Sequence, residues 1–259
     1  MSTFAREREV AVRAARDAGA LIARYYGQPI EAREKGPDNP VTKADLEANA
    51  CIRSHVATAF PGDGWLSEET ADSAERLQHE RVWVVDPLDG TKEFIQHIPE
   101  FCVCIALVER GRPIVAVEYN PASRRLYAAV RGGGTTVNDA PARVSTTARV
   151  ADAVVLVSRS EDQRGEWDRF KDRVHVRLTG SVAYKLAELA AGNGDATFTL
   201  TPKNEWDICA GSLLVEEAGG RVTDLEGKPL VWNQPKTLRP GMIASNGVLH
   251  AGLLTLIHT

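Results

Sequence analysis

The 259-residue chain carries four cysteines (Cys51, Cys102, Cys104 and Cys209), and no two of them stand as Cys-x-x-Cys. That argues against a disulfide framework and against a thiolate metal site. All four read as small core residues in a reducing cytoplasm. No stretch approaches the roughly 18 apolar residues of a membrane span, so no membrane partner is expected. The start, Met1-Ser2-Thr3-Phe4-Ala5-Arg6-Glu7, is polar and lacks the apolar centre of a signal peptide. No Lys/Arg run stands out, and the net charge of -4 is spread along the chain. A nucleic-acid polymer is therefore not an expected partner. The histidines His55, His79, His97, His175, His250 and His258 form no ligand-spaced pair. What is left is 43% hydrophobic and 25% charged, which suits one large globular domain or two coupled ones.

Residues 3–26 place Val10, Ala14, Ala18, Leu21, Ile22 and Tyr25 at helical spacing, with Gly27 as a fitting stop. A short extended piece, Ile30 to Glu34, runs into the breaker Gly36-Pro37-Asp38-Asn39-Pro40. Thr42 then reads as a helix N-cap with Asp45 in a capping-box position, and the helix ends at Pro61-Gly62. Strand-like segments follow at 81–86, 101–108, 113–119 and 125–130, with turns that predict an antiparallel meander. Phe101–Val108 is apolar at nearly every position, so both its faces should be buried. After about residue 150 the rhythm becomes α/β. Strands at 153–158, 174–178, 196–200 and 221–223 alternate with helices at 162–171, 182–191 and 207–218. A strand near 242–244 and a helix over 247–257 close the chain. The spacing predicts an α+β N-terminal half, 1–148, and an α/β C-terminal half, 149–259, sharing an interface.

The run Trp83-Val84-Val85-Asp86-Pro87-Leu88-Asp89-Gly90-Thr91-Lys92-Glu93-Phe94 carries the most chemistry. A buried strand ends abruptly in two carboxylates, and Gly90-Thr91 open a short helix. Two ionised aspartates there need positive charge, and only Lys92 stands beside them in sequence. A divalent cation is the natural partner, and helix-start N–H groups favour a phosphate. Two more acidic clusters stand out, Ser67-Glu68-Glu69 and Glu205-Trp206-Asp207. Taken alone, the first also reads as a solvated turn, and Asp207 and Asp45 as helix-start residues. Oxygen-only donors favour Mg²⁺ or Mn²⁺ over Zn²⁺. Haloacid-dehalogenase phosphatases use Asp-x-Asp, whose carboxylates share a strand face. Asp86-x-x-Asp89 has a spacing at which they would not.

In order and spacing these clusters resemble the inositol monophosphatase superfamily of lithium-sensitive, Mg²⁺-dependent phosphatases. The matching text is Val41-Thr42-Lys43-Ala44-Asp45, Leu66-Ser67-Glu68-Glu69, Asp86-Pro87-Leu88-Asp89-Gly90-Thr91 and Trp206-Asp207-Ile208-Cys209-Ala210-Gly211, running into Glu217-Ala218-Gly219-Gly220. The resemblance implies a layered α-β-α-β-α sandwich of the inositol monophosphatase/fructose-1,6-bisphosphatase type. It implies one metal on Glu68, Asp86 and the Leu88 carbonyl, and a second on Asp86, Asp89 and Asp207. Some members add a third near Glu68. Gly90 and Thr91 would hold the phosphate. Asp45, Thr91 and Glu68 would form the catalytic set, with Asp45 and Thr91 orienting the attacking water. The substrate would be a small phosphate ester, and the family resemblance leaves room for a homodimer.

Within the superfamily, Lys92-Glu93-Phe94, Gly180-Ser181 with Lys185, and Gly227-Lys228-Pro229-Leu230 resemble the 3′(2′),5′-bisphosphate nucleotidases. The leaving group would then be read by Lys92, Gly180, Ser181, Lys185, Lys203 and Glu205, and the substrate would be 3′-phosphoadenosine 5′-phosphate. Thr201-Pro202-Lys203-Asn204 departs from the nucleotidase pattern. The alternative is an inositol-1-phosphate or sugar-phosphate phosphatase. A catalytically silent metal- and phosphate-binding scaffold is a third reading, but such a chain should lack a metal carboxylate or Thr91, and all are present.

Overall fold

The computed structural model describes residues 4–36 and 39–259. Met1–Thr3, and Pro37 and Asp38 of the expected breaker, lie outside the described residues. Helix α1 (Ala5–Tyr25) leads into a hairpin of β1 (Ala32–Gly36) and β2 (Asn39–Thr42), then α2 (Lys43–Ala59). Next come β3 (Gly64–Ser67), β4 (Arg81–Asp89) and α3 (Thr91–Ile95). The meander β5 (Cys102–Glu109), β6 (Arg112–Asn120), β7 (Arg125–Val130), β8 (Gly134–Val137) and β9 (Ala140–Ala142) follows. The rest is β10 (Val154–Val157), α4 (Arg159–Gln163), β11 (His175–Leu178), α5 (Val182–Ala190), β12 (Ala196–Thr199) and β13 (Lys203–Asn204). It continues through α6 (Glu205–Glu217), β14 (Arg221–Thr223), β15 (Leu238–Arg239), β16 (Met242–Ser245) and α7 (His250–His258).

Strands β3 to β9 form one seven-stranded sheet in sequence order. Only its β3–β4 pair is parallel. Alternating residues of β4 and β5 explain why both faces are buried. Trp83, Val85, Val103, Ile105 and Leu107 pack on α1 and α2, against Ala14, Ala18, Ile22, Ala48 and Ile52. Val82, Val84, Cys102, Cys104 and Ala106 face α5 and α6 on the other side, against Leu186, Leu189, Leu213 and Leu214. The far side of those helices meets a five-stranded sheet of order β11-β10-β12-β16-β14, through Val222, Met242 and Ala244. The outer face of that sheet is closed by α7 and by Trp167 and Phe170, which pack on Phe198. The layers run α-β-α-β-α.

Several local expectations need correction. The helix expected over 162–171 is only α4, five residues long, followed by turns. Gly165 takes φ +75 there, which no helix continues through. The C-terminal sheet is mixed, because β16 runs antiparallel to both β12 and β14. The last helix starts at His250, since Gly247 is left-handed and the Asn246 side chain caps Leu249 N–H instead. Asn204, not Asp207, is the N-cap of α6. All four cysteines are free, but Cys51 is only half-buried.

Helices α5 and α6 cross at Gly211, where an added Cβ would lie 2.4 Å from Leu186 Cβ and 3.0 Å from Glu118 Oε1. Replacing a helical glycine by alanine favours a helix by about 1 kcal/mol. Overpacking a close helix crossing costs about 1–3 kcal/mol. Gly211→Ala should therefore lower stability by up to roughly 2 kcal/mol net in urea unfolding. An alanine variant more stable than the parent would show that the crossing has room.

Candidate active site

Strand β4 delivers both aspartates to one place by a bulge. Its register against β5 pairs Asp86 with Cys104 and Asp89 with Cys102, so three steps on one strand meet two on the other. Residues three apart on a regular strand face opposite sides, and one extra residue restores the shared side. Asp86 and Asp89 accordingly line the same cavity, of about 730 Å³. The Asp-x-x-Asp spacing therefore does not separate the two carboxylates. What distinguishes the site from an Asp-x-Asp phosphatase is the company of Glu68 and Asp207.

Glu68 comes from the end of β3, parallel to β4, and Asp207 from the first turn of α6. Carboxylate oxygens of Glu68, Asp86 and Asp207 lie within 4.8 Å of one another. Burial pushes all three carboxyls up, and each is raised further by its carboxylate neighbours. Asp86 is held well above the usual carboxylate range, because it is 1% exposed and faces Glu68, Asp89 and Asp207 together. Its Oδ1 accepts Leu88 N–H at 2.9 Å, while its Oδ2 is buried with no hydrogen-bond partner among the described residues. A bare carboxylate oxygen among other carboxylates fits a cation. The cluster is oxygen-only, the donor chemistry of Mg²⁺ or Mn²⁺.

Asp45 and Asp207 are held alike. Each sits at the third helical position and takes its N-cap residue's backbone N–H on Oδ2, from Thr42 at 2.8 Å and from Asn204 at 2.9 Å. That bond fixes the rotamer and leaves Oδ1 to do other work, so helix-start and site roles coincide. Asp45 Oδ1 accepts the Thr91 hydroxyl at 3.0 Å, and Leu88 O lies 3.1 Å from the same hydroxyl. Asp45 itself is 1% exposed and reaches the cavity through Thr91. Burial raises its carboxyl, against lowering bonds from Thr42 and Thr91. Gly90, Thr91 and Lys92 line the cavity. Gly90 has φ +93, and a Cβ there would lie 2.9 Å from Glu100 O, so the turn closes tightly only on glycine.

The expected leaving-group residues separate into two groups. Ser181 and Lys203 line the cavity, whereas Gly180, Lys185 and Glu205 do not. Ser181 donates to Asp89 Oδ2, which also accepts Ala183 N–H at 2.8 Å, so the start of α5 clamps that aspartate. Gly180 N–H is spent on Glu100 Oε2 at 2.6 Å. Glu205 is fully buried and takes the backbone N–H groups of Asn233 and Gln234 at 2.7 and 3.0 Å. It ties that loop to α6 and cannot meet a substrate hydroxyl. Lys185 is also fully buried, with Nζ 2.5 Å from Ser158 Oγ.

Sequence reasoning missed other residues at and around the site. Lys35 of β1 puts Nζ 2.7 Å from Glu68 Oε1 and 2.5 Å from Glu69 Oε1. Ser158, Arg159, Ser160, Gln163 and Arg164 line the wall beyond the end of β10. A signal for that wall was available. Ligands of α/β sheets bind beyond the carboxyl ends of strands, and Ser158-Arg159 follows such a strand directly.

A mixed layered sandwich with carboxylates converging at strand and helix ends is the arrangement that the resemblance to the inositol monophosphatase superfamily implied. The sequence model of the inositol monophosphatase family matches residues 5–259, and the chain belongs to that family. It is 38% identical to an inositol-1-monophosphatase of Mesorhizobium japonicum, covering 96% of this chain and 94% of that one. It is 39% identical to the Nus factor SuhB of Escherichia coli over 84% of this chain and 85% of the other. The structure of an inositol monophosphatase from Anabaena (Nostoc) superposes with a TM-score of 0.86 at 30% identity, covering 99% and 97% of the two chains. Among the described residues no helix is long and apolar enough to cross a membrane.

The electrostatics give a pH test. The folded carboxyl of Asp86 lies well above the ordinary aspartate value of about 3.9. The folded state therefore keeps a proton that the unfolded chain has already lost, and stability falls as pH rises through that window. Without divalent metal, Asp86→Asn should be more stable than the parent at pH 7.5, and the gain should shrink toward pH 4. Urea unfolding at both pH values measures it. A variant less stable at pH 7.5 and gaining toward acid would mean the carboxylate is stabilised where it sits.

Proposed function

We propose that the protein is a Mg²⁺-dependent hydrolase of small sugar or cyclitol phosphate monoesters, with inositol 1-phosphate the first compound to assay. The observation that carries this reading is the convergence of Glu68, Asp86 and Asp207 around the bare Asp86 Oδ2, beside the Thr91–Asp45 hydrogen bond. The relatives named inositol-1-monophosphatase favour this alternative over the bisphosphate nucleotide. So does the burial of Lys185 and Gly180, two of the residues that suggested the nucleotide.

Two metal ions would be held by Glu68, Asp86, the Leu88 carbonyl, Asp89 and Asp207. Bound there, they supply positive charge to the phosphate and to the attacking water and cancel the repulsion among the carboxylates. The protein's own groups do the rest. The N–H groups of Gly90 and Thr91 hold phosphate oxygens. A water oxygen bonds to phosphorus in line as the ester P–O bond breaks, giving inorganic phosphate and an alkoxide that takes its proton from solvent, to which Asp45 afterwards returns the one it gained. Thr91 Oγ1 accepts a proton of that water and passes its own to Asp45 Oδ1. Burial supports Asp45 as the base, since its raised carboxyl moves toward the working pH. Ser181 and Ala183 hold Asp89 in one rotamer, so the charge beneath the phosphate does not drift.

Hydrolysis of inositol 1-phosphate should vanish with chelator and return with Mg²⁺. Thr91→Ala and Asp45→Asn should each lower kcat about 10²-fold or more, the usual size of a lost proton-transfer group. The double variant should be little worse than either single one, because the two act as a unit. Additive losses would separate Thr91 from Asp45. Turnover by a metal-free preparation verified by elemental analysis would overturn the reading.

A further inference from the structure

Strand β3 is the edge strand of the seven-stranded sheet, four residues long, and it pairs only with β4. Glu68 follows its last residue directly. Glu68 N–H reaches Val85 O at 3.2 Å, which carries the pairing with β4 one residue further. One carboxylate of the cluster thus hangs from a short edge with no strand on its far side.

Helix α2 supports that far side. Asn49 stands four residues after Asp45, on the same helical face, and is 9% exposed. Its Oδ1 accepts the Ser67 hydroxyl at 2.7 Å. Its Nδ2 donates to Thr70 Oγ1 at 3.1 Å and, more weakly, to Glu69 O at 3.4 Å. A single amide therefore grips the chain on both sides of Glu68. A carbonyl oxygen can only accept, so the Asn49 NH₂ and not its oxygen must face Glu69 O. The gripped hydroxyls are tied in turn. Ser67 Oγ takes Glu69 N–H at 3.4 Å, and Thr70 Oγ1 takes Trp65 Nε1–H at 3.2 Å. An aspartate at 49 would set a second acceptor against Glu69 O and add charge to a cluster that already repels itself. A leucine would keep much of the shape but leave the buried Ser67 O–H without its acceptor. Neither Asn49 nor Ser67 is among the residues lining the cavity, so any effect on the site runs through Glu68.

We propose that Asn49 is a positioning residue for Glu68, fixing that carboxylate at the separation from Asp86 and Asp207 that a divalent cation needs. The clamp also joins the Glu68 turn to the helix that bears Asp45, so the cation ligand and the base ride on one support. Lys35 of the β1–β2 hairpin holds the Glu68 and Glu69 carboxylates from another element. Without Asn49 the turn is free to follow that hairpin. This deepens the phosphatase reading above and rests on it.

Mn²⁺ titration of the metal-free protein, read from the paramagnetic resonance of the free ion, tests it without turnover. Asn49→Leu should weaken one Mn²⁺ site about tenfold, the usual size for losing a group that orients a metal ligand. A second site should stay within about threefold of the parent. Ser67→Ala removes the donor of the same 2.7 Å bond and should weaken the same site. The double variant should be no worse than the poorer single one, as expected of two groups sharing one bond. With inositol 1-phosphate, kcat of Asn49→Leu should fall at low Mg²⁺ and return to within about threefold of the parent at saturating Mg²⁺, with KM for the ester little changed. Should Asn49→Leu fail to fold, Ser67→Ala decides by the same titration. A merely structural asparagine would lower stability in urea and leave the Mn²⁺ affinity of the folded variant equal to the parent's, and that result overturns the proposal. So does a loss of kcat that saturating Mg²⁺ does not restore. A parent that binds Mn²⁺ but hydrolyses no phosphate ester would instead strike the phosphatase reading, while the titration still decides the role of Asn49.

Discussion

Mutual repulsion among carboxylates at the end of one buried strand governs the functional half of this molecule. Asp86 sits at the centre, almost wholly out of water, with Glu68, Asp89 and Asp207 all raising its proton affinity. Such a group is tolerated in two ways, by keeping a proton or by meeting a cation. The fold supplies some positive charge of its own, Lys35 at Glu68 and Glu69, with Lys185 and Lys203 acting on Asp89 from farther off. Among the described residues Asp86 Oδ2 meets no hydrogen-bond partner. The site is thus built at a cost to stability that a bound divalent ion would relieve.

Rigid elements hold the groups against that repulsion. The β4 bulge turns Asp86 and Asp89 to the same side, and the start of α5 clamps Asp89. Asp45 and Asp207 are locked by the same capping bond in two different helices. Further back, Glu205 binds Asn233 and Gln234, and Arg76 binds Asp72, Asn233 and Gln234 O, so the loop beside α6 is anchored twice. The first turn of α6 therefore carries Asp207 on a supported base. Holding each donor to one rotamer is what lets a metal or phosphate find its site formed in advance.

The layers and the clustered carboxylates were legible because strong, short-range signals marked them. Apolar runs gave β4 and β5, and abrupt acidic ends marked Asp86, Asp89 and Asp207. What was not legible depended on distant partners. Lys35 meets Glu68 from 33 residues away. Glu205 resembled a cavity residue by its neighbours in sequence, yet loop amides 28 and 29 residues on draw it inward. Lys185 looked like a phosphate donor until Ser158, on another strand end, was seen to take its ammonium. The helix expected over 162–171 failed for a local reason, Gly165, which the periodicity of Trp167 and Phe170 masked.

The central claim is that the Glu68–Asp86–Asp207 cluster is a divalent-cation site whose charge the protein alone leaves unbalanced. Anomalous diffraction from crystals grown with Mn²⁺ tests it most directly. The account predicts a strong anomalous peak within bonding distance, about 2.0–2.3 Å, of Asp86 Oδ2 and of oxygens from Glu68 or Asp207. A peak only elsewhere, or no peak with Asp86 Oδ2 remaining bare at saturating Mn²⁺, would contradict it.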